Sequence, residues 1–260
     1  MTDLTTRLRG ENLTLGYGKK IIARDLSVAI PDGHFTAIIG PNGCGKSTLL
    51  RTLSRLMSPV EGSVFLDGEQ IQRFASKEVA RRIGLLAQNA TTPGDITVQE
   101  LVSRGRYPHQ PLFTRWRKED DEAVKRAMQA TGITELAQQS VDTLSGGQRQ
   151  ALTLLMATLQ KPKLLLLDEH TAALDPKTAR KVLDLTEKIV DEQNLTALMV
   201  THNMKDAIQI GNRLIMMHEG RIIYDVAGEE KKNLQVEDLL ERFEKVSGEE
   251  FANDRMMLAK

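Results

Sequence analysis

The chain has 260 residues, enough for one large domain or one domain carrying an inserted lobe, so a core of ordinary size needs no covalent staple. Lys plus Arg and Asp plus Glu balance at 35 each, which excludes a global field drawing the chain to nucleic acid or to an anionic membrane. A single cysteine, Cys44, excludes an internal disulfide, and no window approaches the ~18 uninterrupted apolar residues that a membrane span needs. The start, Met1-Thr2-Asp3-Leu4, has no basic flank before an apolar run, so no signal peptide is expected and the chain reads as cytoplasmic.

In chain order, residues 7–39 alternate short apolar runs with turn signals. This predicts an antiparallel β-layer that feeds the strand Phe35-Thr36-Ala37-Ile38-Ile39. Tyr17, in a turn flanked by Gly16 and Gly18, could stack on an adenine ring or be an exposed turn aromatic; its position leaves both open.

Gly40-Pro41-Asn42-Gly43-Cys44-Gly45-Lys46-Ser47-Thr48 follows, with Leu49-Leu50-Arg51-Thr52-Leu53 reading as the start of a helix. The pattern GxxxxGK[ST] between a strand and a helix is a phosphate-binding loop. The glycines let successive N–H groups turn inward on an anion, and the helix terminus adds positive potential. Lys46 brings a full charge to the β- and γ-phosphates, and Ser47 is placed to ligate Mg²⁺. Cys44 has no histidine near it in sequence and reads as a small spacer within the loop.

Glu61 to Gly68 reads as a hairpin strand and turn, and Ile83 to Ala87 as a short strand ending at Gln88. From about 89 to 143 loops rich in Thr, Pro, Gly and His alternate with amphipathic helices, one spanning Glu119 to Thr131, which predicts an inserted helical lobe. His109, between two prolines and without a partner at ligand spacing, is read as a loop residue. In Leu144-Ser145-Gly146-Gly147-Gln148-Arg149-Gln150, Ser145 is a helix N-cap and the terminus a second anion-binding position, a weak signal taken alone.

Leu164-Leu165-Leu166-Leu167-Asp168-Glu169 predicts a strand buried on both faces, with its carboxylates at the sheet edge where ligands bind in α/β folds. Asp168 suits Mg²⁺, and Glu169 can act on an attacking water. Leu195 to Val200 predicts another buried strand, and the same edge logic puts His202 near the γ-phosphate. Residues 212–226 carry two strand-like runs, and 235–260 a terminal helix and tail.

The phosphate loop, Gln88, Leu144-Ser145-Gly146-Gly147-Gln148, Asp168-Glu169 and His202, in this order and spacing, resemble the ATP-binding cassette (ABC) ATPases along nearly the whole chain. The resemblance implies an α/β fold: a P-loop NTPase of the ABC ATPase type, with a mainly parallel core sheet, an antiparallel β-layer and an inserted helical lobe. Residues 1–88 and 150–260 would form the nucleotide-binding core and 89–149 the helical lobe bearing the LSGGQ signature. It implies ATP and Mg²⁺ as cofactors, and a head-to-tail homodimer whose helical lobes meet membrane permease subunits at the cytoplasmic face. A binding protein would be an indirect partner, and nucleic acid none. Tyr17 would then stack on adenine, and the loop from Gly40 through Thr48 would hold phosphates and metal. Gln88 would reach metal and water, and Ser145, Gly146, Gly147 and Gln148 would close on the partner's ATP. Asp168 would support the metal, Glu169 act as general base, Asp175 link the two sites, and His202 contact the γ-phosphate.

A narrower resemblance, to ATPases of bacterial ferric-siderophore importers of the ferric-enterobactin type, rests on the stretch from Phe35 to Cys44, Ala87-Gln88-Asn89, Gly105 to His109, and Phe113 to Trp116. Beyond Gln150 the pattern changes. The siderophore ATPases would carry proline in place of His170, aspartate in place of Asn203 and arginine near Ala151. Glu169-His170-Thr171-Ala172-Ala173-Leu174-Asp175-Pro176 is similar instead to another importer group, linked to amino-acid-like ligands, which reads either as a mosaic chain or as drift within one family. The helical lobe lies on the siderophore-like side, so ferric siderophore is the expected cargo and a small amino-acid-like solute the alternative. His170, directly after the proposed base, would either lend it positive charge or reorient it through a hydrogen bond. A ribosome- or DNA-acting ABC protein would show tandem cassettes or long heptads, and a metabolic phosphotransferase has no use for LSGGQ.

Overall fold

A computed structural model of the chain describes residues 6–87, 96–109, 116–130, 133–159 and 161–247. From the amino end come β1 (Thr6–Tyr17), β2 (Lys20–Pro31), β3 (Phe35–Ile39), α1 (Lys46–Leu53), β4 (Glu61–Leu66) and β5 (Glu69–Gln70). Next are α2 (Ser76–Arg82), β6 (Ile83–Leu86), α3 (Val98–Arg104), α4 (Lys118–Ala130) and α5 (Gly146–Thr158). β7 (Leu164–Asp168), α6 (Pro176–Glu192), β8 (Thr196–Val200) and α7 (Met204–Gln209) lead to β9 (Arg213–His218), β10 (Arg221–Ala227), α8 (Gly228–Lys232) and α9 (Val236–Ser247). The chain divides into two compact units. One comprises Met1–Phe74, Leu166–Glu169 and Leu195–Lys260; the other comprises Ala75–Leu165 and His170–Asn194.

The first unit is built on two sheets. The antiparallel layer runs β2-β1-β4-β5, and Arg7 locks one end of it. Its guanidinium donates from Nε and Nη2 to the two oxygens of Asp32 at 2.7 Å and from Nη1 to Asp67 at 2.7 Å. Thr196 at the start of β8 donates a further bond to Asp32 (2.8 Å). This fork holds the Asp32 carboxyl down at about 2, well below the usual carboxylate range.

The second sheet of this unit carries strands in the order β10-β9-β3-β8-β7. β3 pairs in parallel with both β8 and β9, and every residue of β3, β7 and β8 is buried. Strands covered on both faces favour apolar side chains, which is why these short segments are mostly Leu, Ile, Val, Ala and Met, with Thr36, Asp168 and Thr196 as their polar members. The register sets Ile38 beside Val200, so the carboxyl ends of β3 and β8 finish side by side.

The second unit carries helices α2 to α6, together with β6 and the first two residues of β7. Two of its helices begin with a reciprocal capping box: Thr97 with Glu100 at α3, and Ser145 with Gln148 at α5. Asp175 caps α6, with Pro176 in its first turn. Val98, Val102, Val124, Val141, Leu152 and Leu155 belong to one buried cluster that joins α3, α4 and α5. Residues 176–192, for which the expectations above name no element, form α6; Val182, Leu183, Thr186, Ile189 and Val190 are its buried stripe at helical spacing. In the expected terminal helix and tail, α9 is present, and 248–260 lie outside the described residues.

Candidate functional site

The site lies at the carboxyl edge of the first unit's parallel strands. After β3 the chain turns at Gly40, where a side chain would run into the Met217 carbonyl and the Cys44 sulfur. Gly43 and Gly45 take positive φ (80° and 105°), a backbone shape that L side chains rarely adopt. α1 then starts without a side-chain cap, so its terminal N–H groups face the loop. Lys46, 5% exposed, folds back over the loop and donates to the carbonyls of Gly40 (2.7 Å) and Pro41 (3.0 Å). Cys44 is buried, and burial pushes its thiol pKa up, which suits a packing spacer rather than a nucleophile. The Tyr17 ring is exposed, with its hydroxyl 3.5 Å from Thr48 Oγ1 and from an Arg51 guanidinium nitrogen.

Ser47 and Asp168, 121 positions apart, meet here: Ser47 Oγ donates to Asp168 Oδ1 at 2.9 Å. Asp168 is 3% exposed, and burial pushes its carboxyl above the ordinary value against the pull of the Ser47 hydroxyl, with the neighbouring Glu169 adding to the rise. A hydroxyl and a buried carboxylate are hard oxygen donors of the kind Mg²⁺ takes, and a cation there would relieve what burial costs the carboxylate.

Glu169 leaves β7 in the left-handed region (φ 46°), while its N–H donates to the Val200 carbonyl at 2.9 Å. The β8 end answers: Thr201 N–H donates to Ile38 O at 3.0 Å, and the next residue, His202, faces the carboxylate. Glu169 Oε2 and His202 Nδ1 stand 3.7 Å apart, an ion-pair distance longer than a hydrogen bond. The His202 ring holds the Glu169 carboxyl below its usual range, and Glu169 raises the ring in return. Lys46 acts on both groups, lowering each.

Lys46, Ser47, Asp168, Glu169 and His202 thus share one unit, while Ser145, Gly146, Gly147, Gln148 and Asp175 belong to the other. Ser145 caps α5 as expected: its N–H donates to the Gln148 side chain (2.8 Å), and its Oγ accepts from Gln148 N–H (3.3 Å). The two glycines make the turn close-packed, since a side chain at Gly146 would meet Leu174 and one at Gly147 would meet Thr178. Gln88 lies outside the described residues.

The expectation that His170 might lend the base positive charge is corrected. His170 is 1% exposed, its Nε2 lies 3.2 Å from Thr186 Oγ1 within the second unit, and its Nδ1 has no partner among the described residues. Burial brings the ring down to about 4, so it is neutral at physiological pH. Asn203 was absent from the candidate residues. It caps α7 and fixes the chain directly after His202; an Asn before a short helix was the available signal.

A phosphate loop on a parallel strand, backed by a metal-suited carboxylate and a second carboxylate facing a histidine, defines a P-loop nucleoside-triphosphate hydrolase. The ABC transporter family model matches residues 23–172, and the chain belongs to that family of ATP-hydrolysing subunits. It is 62% identical to the ferric enterobactin transport ATP-binding protein FepC of Escherichia coli K12, over 93% of this chain and 88% of that one. That similarity spans 242 of 260 residues and so continues well past Gln150. It is 43% identical to the tyrosine transport ATP-binding protein of Clostridioides difficile, over 88% of this chain and 93% of that one. A solved dimer of the ATP-binding cassette MJ0796 bound to ADP and phosphate superposes with a TM-score of 0.73 at 26% identity, covering 85% of this chain and 98% of that one. Among the described residues no helix is long and apolar enough to cross a membrane.

Proposed function

We propose that this chain is the ATP-hydrolysing subunit of a membrane importer for ferric siderophores of the enterobactin type, bound peripherally at the cytoplasmic face. The observation that carries the cargo is the 62% identity to a ferric enterobactin ATPase along nearly the full length. The similarity to a tyrosine transport ATPase keeps a small amino-acid-like solute as the second reading.

In the hydrolytic step, the N–H groups at the start of α1 and the Lys46 ammonium receive the triphosphate. The carbonyl bonds that Lys46 now makes would be exchanged for bonds to phosphate oxygens. Ser47 and Asp168 would hold Mg²⁺, which when bound neutralises charge on the phosphate oxygens. Gln88 is the expected further ligand. Glu169 takes a proton from the attacking water, and its depressed carboxyl keeps it ionised for that task at neutral pH. His202 orients Glu169 and reaches the γ-phosphate, and Tyr17 stacks on the adenine. A second copy supplies Ser145 through Gln148 to the same nucleotide, with Asp175 linking the two sites. The helical lobe, 89–149, meets the permease. Closure of the dimer on ATP drives the permease, and hydrolysis resets it.

Growth on enterobactin-bound iron, in cells lacking their own importer ATPase, tests the reading. The wild-type chain should restore growth and Glu169→Gln should not. Restored tyrosine uptake without restored growth would transfer the assignment to the second reading.

A further inference from the structure

Lys231 sits in the charged run Gly228-Glu229-Glu230-Lys231-Lys232 of α8, yet it is 1% exposed while both chain neighbours are exposed. Its Nζ donates to the carbonyls of Ile208 (2.7 Å), Ile210 (2.8 Å) and Gly211 (3.0 Å). These lie at the C-terminal end of α7 and in the turn after it, where helix carbonyls lack intrahelical partners and the dipole favours a cation. Taking an ammonium out of water is costly, and an apolar residue of similar volume would fill the space without that cost. What the charge adds is a fixed geometry for the end of α7.

The other end of α7 is the site. Asn203, its N-cap, accepts from the N–H groups of Lys205 (2.9 Å) and Asp206 (3.1 Å), and donates its own N–H to Thr201 Oγ1 (3.1 Å). His202 stands between Thr201 and Asn203. The far turn is tied to β3 as well: Asn212 N–H donates to Phe35 O (3.0 Å), and Phe35 N–H donates to Asn212 Oδ1 (3.1 Å). α7 is therefore a short strut along the strand that feeds the phosphate loop. Its proximal end carries His202, and its distal end is closed by the ammonium.

We propose that Lys231 is a positioning residue for ATP hydrolysis, holding His202 against Glu169 by clamping the far end of α7. The inference rests on the roles given above to His202 and Glu169. It extends the working parts of the site to α8, which like His202 lies beyond the residues matched by the family model.

The test is Lys231→Met in the full chain, with Lys231→Arg as the charge-conserving control. Lys231→Met should lower kcat about tenfold or more, as sub-ångström displacement of catalytic groups does, with the KM for ATP changing less than about threefold. The decisive readout is the His202 ring, followed by NMR titration. Its pKa should stand above that of a free imidazole in the wild-type chain, because Glu169 faces it, fall back towards the free value in Lys231→Met, and recover at least in part in Lys231→Arg. A His202 titration unchanged in Lys231→Met, whatever happens to the melting temperature, would reduce Lys231 to a structural residue and overturn the proposal. Should Lys231→Met fail to fold, Lys231→Gln, which keeps two donors without the charge, is read the same way. His202→Ala separates the two levels: hydrolysis at the wild-type rate there would remove the catalytic role of His202, while the ring titration still decides the clamp.

Discussion

Replacing Glu169 by Gln tests the chemistry most directly. The amide matches the carboxylate in size and keeps an acceptor oxygen, but it cannot take a proton from water. The backbone should be indifferent, because the Glu169 N–H bond to Val200 does not involve the side chain and Gln meets the same φ of 46°. The phosphate-holding groups are untouched: Lys46 is set by the loop carbonyls, and Ser47 by Asp168. Loss of a general base costs about 10²–10⁴-fold in rate, which at 1.36 kcal/mol per decade is about 3–5.5 kcal/mol of barrier. ATP affinity should change less than about threefold, since none of that energy belongs to ground-state binding. Single-turnover hydrolysis, alongside titration with a fluorescent ATP analogue, measures both. Hydrolysis within tenfold of wild type, with binding intact, would place the base elsewhere and refute the reasoning.

Ser47→Ala should strip Asp168 of a charge-assisted bond in a buried setting, lowering nucleotide-free stability by about 1–3 kcal/mol, or roughly 3–10 °C in Tm, and raising the Mg²⁺ needed for turnover. An unchanged melting curve would mean that the bond contributes nothing. The Asp32 carboxyl is depressed from 3.8 to about 2, so its contribution is complete above pH 4 and is lost as pH falls towards 2. With the side chain 39% exposed, screening leaves about 1 kcal/mol of the contribution, so Asp32→Asn should melt ~2–4 °C lower at pH 7, with the difference closing near pH 2. In α5, Gly147→Ala should destabilise more than Gly146→Ala in urea unfolding. The first meets the stiff, β-branched Thr178 and the second only the end of Leu174; the reverse order would reject this packing argument.

What could be read from the chain was what local chemistry decides. The loop from Gly40 to Thr48 carries its conformation in its glycines, and Ser145 carries its cap in the residue three places on. α6 is equally local: Asp175-Pro176 opens it, and its buried residues recur at helical spacing. His170 could not be read, because its state depends on Thr186, sixteen positions away, and on burial that a single sequence does not display. The Glu169–His202 contact depends on how the end of β7 meets the end of β8, where Glu169 N–H bonds the Val200 carbonyl, a tertiary fact. Lys231 was hidden most completely: a lysine among charged neighbours reads as a solvated surface, and its acceptors lie 20, 21 and 23 residues earlier.

Glu169 occupies a backbone region where a glycine or an asparagine would sit more comfortably. A selection that rewards thermal robustness alone should therefore drift towards Glu169→Gly or Glu169→Asn and return sturdier proteins that no longer turn over ATP. Any directed-evolution campaign on this chain should hold that codon constant, or score turnover in every round.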